Sequence, residues 1–161
     1  MAERVARPST SGVLSTMPPR WVFSLMNPVA KVLLAAGIPL GPNGLITVRG
    51  RTSGMPRTTP VGIIEVAGRR WVWCPWGEVH WVRNLRAAGR ATITKRGRTE
   101  EVTAIELDPT RRVDFFRETY APLVRSIPFG RTFVRIVDSV DIDDPIGAAD
   151  GRCVFELQTV P

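Results

Sequence analysis

Alternation of apolar and polar positions dominates the middle of the chain and predicts strands. Leu45 to Arg49, Thr58 to Val66 and Arg70 to Cys74 are rich in Val, Ile, Thr and Trp, and Ala67-Gly68-Arg69 supplies a tight turn between the last two. These three predict a meander. Ala91 to Lys95 and Arg98 to Leu107 predict a hairpin through Arg96-Gly97, with Val102, Ala104 and Glu106 alternating against Thr103, Ile105 and Leu107. Arg152 to Gln158 alternates as a closing strand, the sixth.

The period changes between these runs. In Glu78 to Ala88 the apolar residues Trp81, Leu85 and Ala88 recur at helical spacing, with Arg83 and Arg86 on other faces. Asp108-Pro109 is a helix start, an N-cap acceptor followed by proline at the first helical position, and Val113, Phe116, Tyr120 and Val124 mark one face of the helix beyond. Phe129 to Val140 predicts another helical turn or two, and Asp141 to Gly151 a polar loop. Short strands with hairpin-length links, interrupted by helices, indicate a mostly β, α+β fold: an antiparallel barrel with flanking helices, not a βαβ sheet.

Ahead of the strands, Trp21 to Ala36 reads as a helix bent at Pro28 and ended by Gly37 and the Pro39 to Pro42 loop. Asn27, Pro28 and Lys31 break its apolar run, which argues against a membrane span and leaves an amphipathic helix packed on the barrel or resting in a membrane interface. The Pro-, Ser- and Thr-rich start reads as a flexible tail without an export signal. Residues 1–16 are assigned to this tail and 17–161 to one domain, since 161 residues hold one core comfortably and two poorly.

A net charge of +7 means the surface attracts anions, whether nucleic acid, acidic lipid or a polyanionic cofactor. Cys74, Cys153 and the lone His80 are too few for a disulfide framework or a zinc site, so a reducing cytoplasm fits best. Cys74 reads as a small buried hydrophobe and His80 as a surface or core residue without a catalytic partner.

Within that charge one stretch stands out. Gly50-Arg51-Thr52-Ser53-Gly54-Met55-Pro56-Arg57-Thr58-Thr59-Pro60 gathers two arginines, two glycines and several hydroxyls into one turn between strands. Glycine lets the backbone approach a ligand, successive N–H groups can converge on phosphate oxygens, and each arginine offers a planar fork of charged donors. A phosphorylated ligand suits such a cradle, although an ordinary solvated hairpin tip has the same composition.

Together with Leu45-Ile46-Thr47-Val48-Arg49 before it and Trp81-Val82-Arg83-Asn84-Leu85 downstream, this turn resembles the deazaflavin-dependent nitroreductases. The resemblance runs from about Leu45 to Leu107 and resumes weakly in the last strand. It implies a split β-barrel of the FMN-binding type, an oxidoreductase activity and coenzyme F420 as cofactor. It also implies that Arg51, Ser53, Gly54 and Arg57 grip the phosphate and acidic tail of the deazaflavin. Pro60 and Val61 are then expected along the ring, and the loop at Trp76 and Gly77 is expected to contribute backbone contacts. Trp81 and Asn84 are expected to lie near the cofactor from the following helix. Thr52 stands where the family commonly has lysine, and Pro75 and Trp76 where serine and lysine are more familiar. Tyr120, the one tyrosine, is the candidate proton donor on the substrate side, with helix packing as the alternative.

Three readings follow. The first is hydride transfer from reduced F420 to a small electron-poor acceptor such as an enone, a quinone or a nitro compound, with a homodimer and a peripheral membrane contact through the first helix as open partners. The second keeps the barrel and binds FMN or another flavin. The third is a non-catalytic binder of nucleic acid or acidic membrane, suggested by Trp71, Trp73, Trp76 and Trp81 interleaved with basic residues. Tryptophans at alternate strand positions are more often core.

Overall fold

The computed structural model describes residues 43–161, so the tail and the Trp21 to Ala36 helix lie outside the described residues. Six antiparallel strands close a barrel in the order β1-β2-β3-β6-β5-β4, with β4 pairing back to β1. They are β1 (Asn43–Arg49), β2 (Pro56–Val66), β3 (Arg69–Cys74), β4 (Arg90–Lys95), β5 (Arg98–Glu106) and β6 (Cys153–Thr159). The β1-β2-β3 meander and the β4-β5 hairpin fall where alternation and turn chemistry predict them. Left-handed Gly68 and Gly97 occupy the two tight turns.

Side-chain alternation divides the apolar residues into two clusters. Ile46, Val48, Ile63, Val72, Val102 and Phe155 fill the barrel. Trp71, Trp73 and Val154 point the other way, into a second cluster beneath the helices. The tryptophans of β3 are therefore core on the outer wall, 4% and 8% exposed, which removes them as stacking platforms for a nucleic acid.

That outer wall is covered by a continuous helical run. It consists of a helix at Pro109–Asp114, a π-helical turn at Phe115–Tyr120 and a helix at Ala121–Arg125. Asp108 caps its start by accepting the Arg111 N–H at 2.9 Å, with Pro109 in the first turn. The wider π turn buries Phe115, Phe116 and Tyr120 together. Phe116 meets Trp73 edge-on at 5.3 Å between ring centroids, and Trp71 meets Phe115 at 5.7 Å. Further helices span Gly130–Val137 and Pro145–Ala149. The last of these corrects the expected loop: Asp144 accepts the Gly147 N–H at 3.0 Å and Pro145 opens the turn, a helix start that the surrounding polar residues obscure.

The remaining helix, α1 (His80–Ala88), joins β3 to β4 and closes one end of the barrel. Val82 and Leu85 are fully buried in the interior cluster, and Gly89 in the left-handed conformation returns its N–H to the Leu85 carbonyl. At its exit Arg86 bridges Glu106 of β5 and Glu78 of the preceding loop, both at 2.6 Å. This plugging helix positions the site.

Candidate functional site

The β1–β2 turn is built around an internal ring of hydrogen bonds. The Gly50 N–H donates to the Met55 carbonyl and the Gly54 N–H to the Gly50 carbonyl, both at 2.8 Å, while Ser53 Oγ accepts the Met55 N–H at 3.3 Å. A Cβ on residue 50 would lie 2.7 Å from Ser53 Oγ and 3.3 Å from the Met55 carbonyl, so only glycine fits without displacing the ring. Gly54 adopts a φ of 66° at the exposed tip.

Between this turn and the start of α1 lies an open cleft of about 670 Å³. Arg51, Ser53 and Arg57 line it from the β1–β2 side, and His80, Trp81 and Asn84 from the helix. Arg57 and Thr59 occupy the strand face that carries Val61 and Ile63 further along β2. Near the turn that face has run past the barrel core and opens into the cleft instead. Thr58, on the opposite face, also reaches the cleft rim and hydrogen-bonds Thr47 across the strand pair at 2.8 Å.

The electrostatics of the cleft are one-sided. Arg69, Arg70, Arg86, Arg111, Arg125 and Arg131 all pair with carboxylates. Among the described residues no carboxylate pairs with Arg51 or Arg57. The start of α1 adds to the same sign: Val79 gives no side-chain cap, no acidic residue stands in the first turn, and His80 and Trp81 of that turn line the cleft, so the positive end of the helix dipole lies beside it. Such an arrangement collects phosphate or carboxylate oxygens.

Of the residues expected at the site, the structure brings Arg51, Ser53, Arg57, Trp81 and Asn84 to this cleft and leaves the others elsewhere. Gly54 shapes the turn without lining the cleft. Val61 is buried in the barrel and Pro60 is half-buried beside it on β2. Trp76 packs against the interior cluster, and Gly77, at a φ of 72°, backs onto the Gly151 carbonyl. Cys74 is buried, and its loss of hydration pushes the thiol pKa up to about 11, which keeps it protonated.

Tyr120 is a correction. It is 5% exposed beneath the helices on the outer wall, stacked on Phe115 and edge-on to Trp73 and Phe116, with its hydroxyl donating to Asp138 Oδ2 at 3.3 Å. Burial first, and then the neighbouring Asp138 charge, push its phenol well above the ordinary tyrosine value. Helical periodicity identifies its face correctly, but that face meets the barrel wall and not the cleft. Tyr120→Phe is expected to leave the rate of the hydride transfer implied by the family resemblance within about twofold and to lower stability by about 1.5–3 kcal/mol, the worth of a hydrogen bond to a charged group. Single-turnover kinetics and urea unfolding check both numbers.

Sequence reasoning missed His80, Thr58 and Thr59 as cleft residues. The available signal for His80 was its place at the predicted start of a helix following a glycine loop. The threonines belong to the hydroxyl-bearing run from Gly50 to Pro60, but nothing singled them out from their strand.

A model of the F420H(2)-dependent quinone reductases matches residues 27–125. The chain belongs to this family. It is therefore an oxidoreductase that uses coenzyme F420H2 as its reductant. No curated protein matches the chain in a sequence search.

Among solved structures, a protein described as a domain-swapped dimer is 19% identical, with a TM-score of 0.50 over 88% of this chain and 100% of its own. A Bacteroides thetaiotaomicron protein provisionally assigned to 5-nitroimidazole antibiotic resistance is 11% identical, with a TM-score of 0.53 over 81% of this chain and 80% of its own. The F420-H2 dependent reductase FDR-A is 19% identical, with a TM-score of 0.45 over 73% of this chain and 94% of its own. The first two share the barrel architecture, while the activity of this reductase rests on the family match. No helix among the described residues is long and apolar enough to cross a membrane.

Proposed function

We propose that the cleft between the β1–β2 turn and α1 holds the phosphate and acidic tail of F420H2, and that the enzyme delivers a hydride from it to a quinone or a similarly electron-poor small molecule. One observation carries this reading: Arg51 and Arg57 both line a cleft of about 670 Å³, and no carboxylate among the described residues neutralises either of them.

The residues fit an anionic tail in three respects. Two guanidinium groups supply charge and planar donor pairs. The uncapped start of α1 supplies backbone N–H groups. At the tip of the turn nothing lies within 4 Å of where a Gly54 side chain would begin, so ligand oxygens can approach the backbone there.

When bound, the coenzyme supplies the hydride, and a proton from solvent completes reduction of a quinone to the hydroquinone. The protein binds and orients: Arg51 and Arg57 hold the tail, and Trp81, half-buried and tilted against Phe155 at 6.5 Å between centroids, gives the cleft an apolar wall. Side-chain acid–base machinery is not needed for such a transfer. The quinone acceptor is supported by the family match.

Fluorescence titration with oxidised F420, run in parallel with FMN, tests the cofactor assignment. Saturable binding of the deazaflavin at concentrations where FMN shows none is the expected result. Preferential FMN binding would transfer the site to a flavin, and binding to long polyanions alone, steeply salt-dependent, would replace the enzyme reading with a binding module. Oxidation of F420H2 followed with a quinone, an enone and a nitroaromatic compound then ranks the acceptors.

A further inference from the structure

We propose that Asn84 is a positioning residue that latches Arg51 in place for the anionic tail, without being a cofactor ligand itself. Asn84 is 7% exposed, one of only two polar or charged side chains among the buried described residues. Its Oδ1 accepts two hydrogen bonds from the same residue 33 positions earlier: the Arg51 backbone N–H at 3.2 Å and Arg51 Nη1 at 3.0 Å. Both partners can only donate, so the amide oxygen, not the nitrogen, must face them.

One atom thus fixes both the backbone and the guanidinium end of the arginine. The main-chain bond ties the turn to α1, and the side-chain bond removes part of the rotational freedom of a long, exposed side chain before any ligand arrives.

The choice of an amide matters. Eight arginines elsewhere among the described residues are held by carboxylates, which offset their charge. A neutral acceptor restrains Arg51 while leaving its full positive charge for the ligand. Asn84 also stands on α1 beside Leu85, which is anchored in the barrel interior, so the latch is mounted on a packed element. The proposal rests on the reading that this cleft takes the anionic tail of F420, and its test separates the two.

The first measurement is made on the ligand-free protein: amide hydrogen exchange at Arg51 by NMR. Asn84→Ala is expected to speed exchange of the Arg51 N–H by about tenfold or more. Asn84→Asp, which keeps an acceptor in place, retains the protection. An Arg51 amide that exchanges equally in wild type and Asn84→Ala overturns the latch.

The second measurement is affinity for F420 and for its fragment lacking the phosphate and acidic tail. Asn84→Ala weakens F420 binding by about tenfold and leaves the fragment unchanged. In an Arg51→Ala background the same substitution costs clearly less, because the guanidinium it held is gone and only the main-chain bond is left to lose. Effects that add in the double variant mean direct contact between Asn84 and the coenzyme and sink the proposal, as does equal weakening for both ligands.

Asn84→Asp also separates restraint from charge: it weakens F420 binding while the Arg51 amide stays protected. That loss likewise shrinks when Arg51 is absent, since only direct repulsion of the tail by the new carboxylate is then left, a cycle that remains available if the alanine variant does not fold. A wild-type protein that binds coenzyme and fragment equally would overturn the tail placement, while the Arg51 exchange rate would still report on the latch.

Discussion

Replacing Arg51 and Arg57 together by alanine is expected to weaken F420 binding by about 100- to 10,000-fold. Each guanidinium offers a charge-assisted bond worth about 1.5–3 kcal/mol, and 1.4 kcal/mol corresponds to a factor of ten. Among the described residues neither has a carboxylate partner, and neither packs in the core, so the substitution removes ligand contacts without disturbing the barrel. Fluorescence titration of oxidised coenzyme checks the loss, and an unchanged unfolding midpoint checks that the barrel is intact. Lysine at both positions should recover only part of the affinity, because an ammonium supplies charge without the planar fork. Arg117, which pairs with Asp114 on the helical side, serves as the control whose removal leaves the titration unchanged. A double variant that binds the coenzyme like wild type would remove the cleft from consideration.

The largest effect on stability is expected at Phe116. It is 1% exposed and meets Trp73, Phe115 and Tyr120 at centroid distances of 5.3, 5.1 and 5.5 Å. Truncation to alanine empties the contact between the helical run and the outer barrel wall at a cost of about 3–5 kcal/mol, a large share of the roughly 5–15 kcal/mol that holds a domain together. Urea unfolding reads this directly. Phe129, 88% exposed, is the contrasting case, and its alanine variant should stay within about 0.5 kcal/mol of wild type. Similar losses at the two positions would mean that the described packing of the helices is wrong.

The strands were legible because runs rich in β-branched and aromatic residues fit a pleated surface, and in Trp71-Val72-Trp73-Cys74 the barrel buries both faces, Val72 and Cys74 inside and Trp71 and Trp73 outside. Left-handed glycines marked the hairpins for an equally local reason. The Pro145–Ala149 helix was harder to see, being five residues long and lodged among aspartates that read as loop. For Tyr120, periodicity showed which residues share a face and was silent on what that face meets.

Local chemistry alone thus settled the strand pattern, the main helices and the presence of an arginine-bearing glycine turn, since each depends on neighbours a few residues away. The fold decided which expected residues face the cleft, that Tyr120 lies against the outer wall, and that Asn84 meets Arg51 across 33 residues. Those facts depend on barrel closure and on α1 plugging one end of it. No periodicity within a segment encodes a contact that exists only once distant segments pack together.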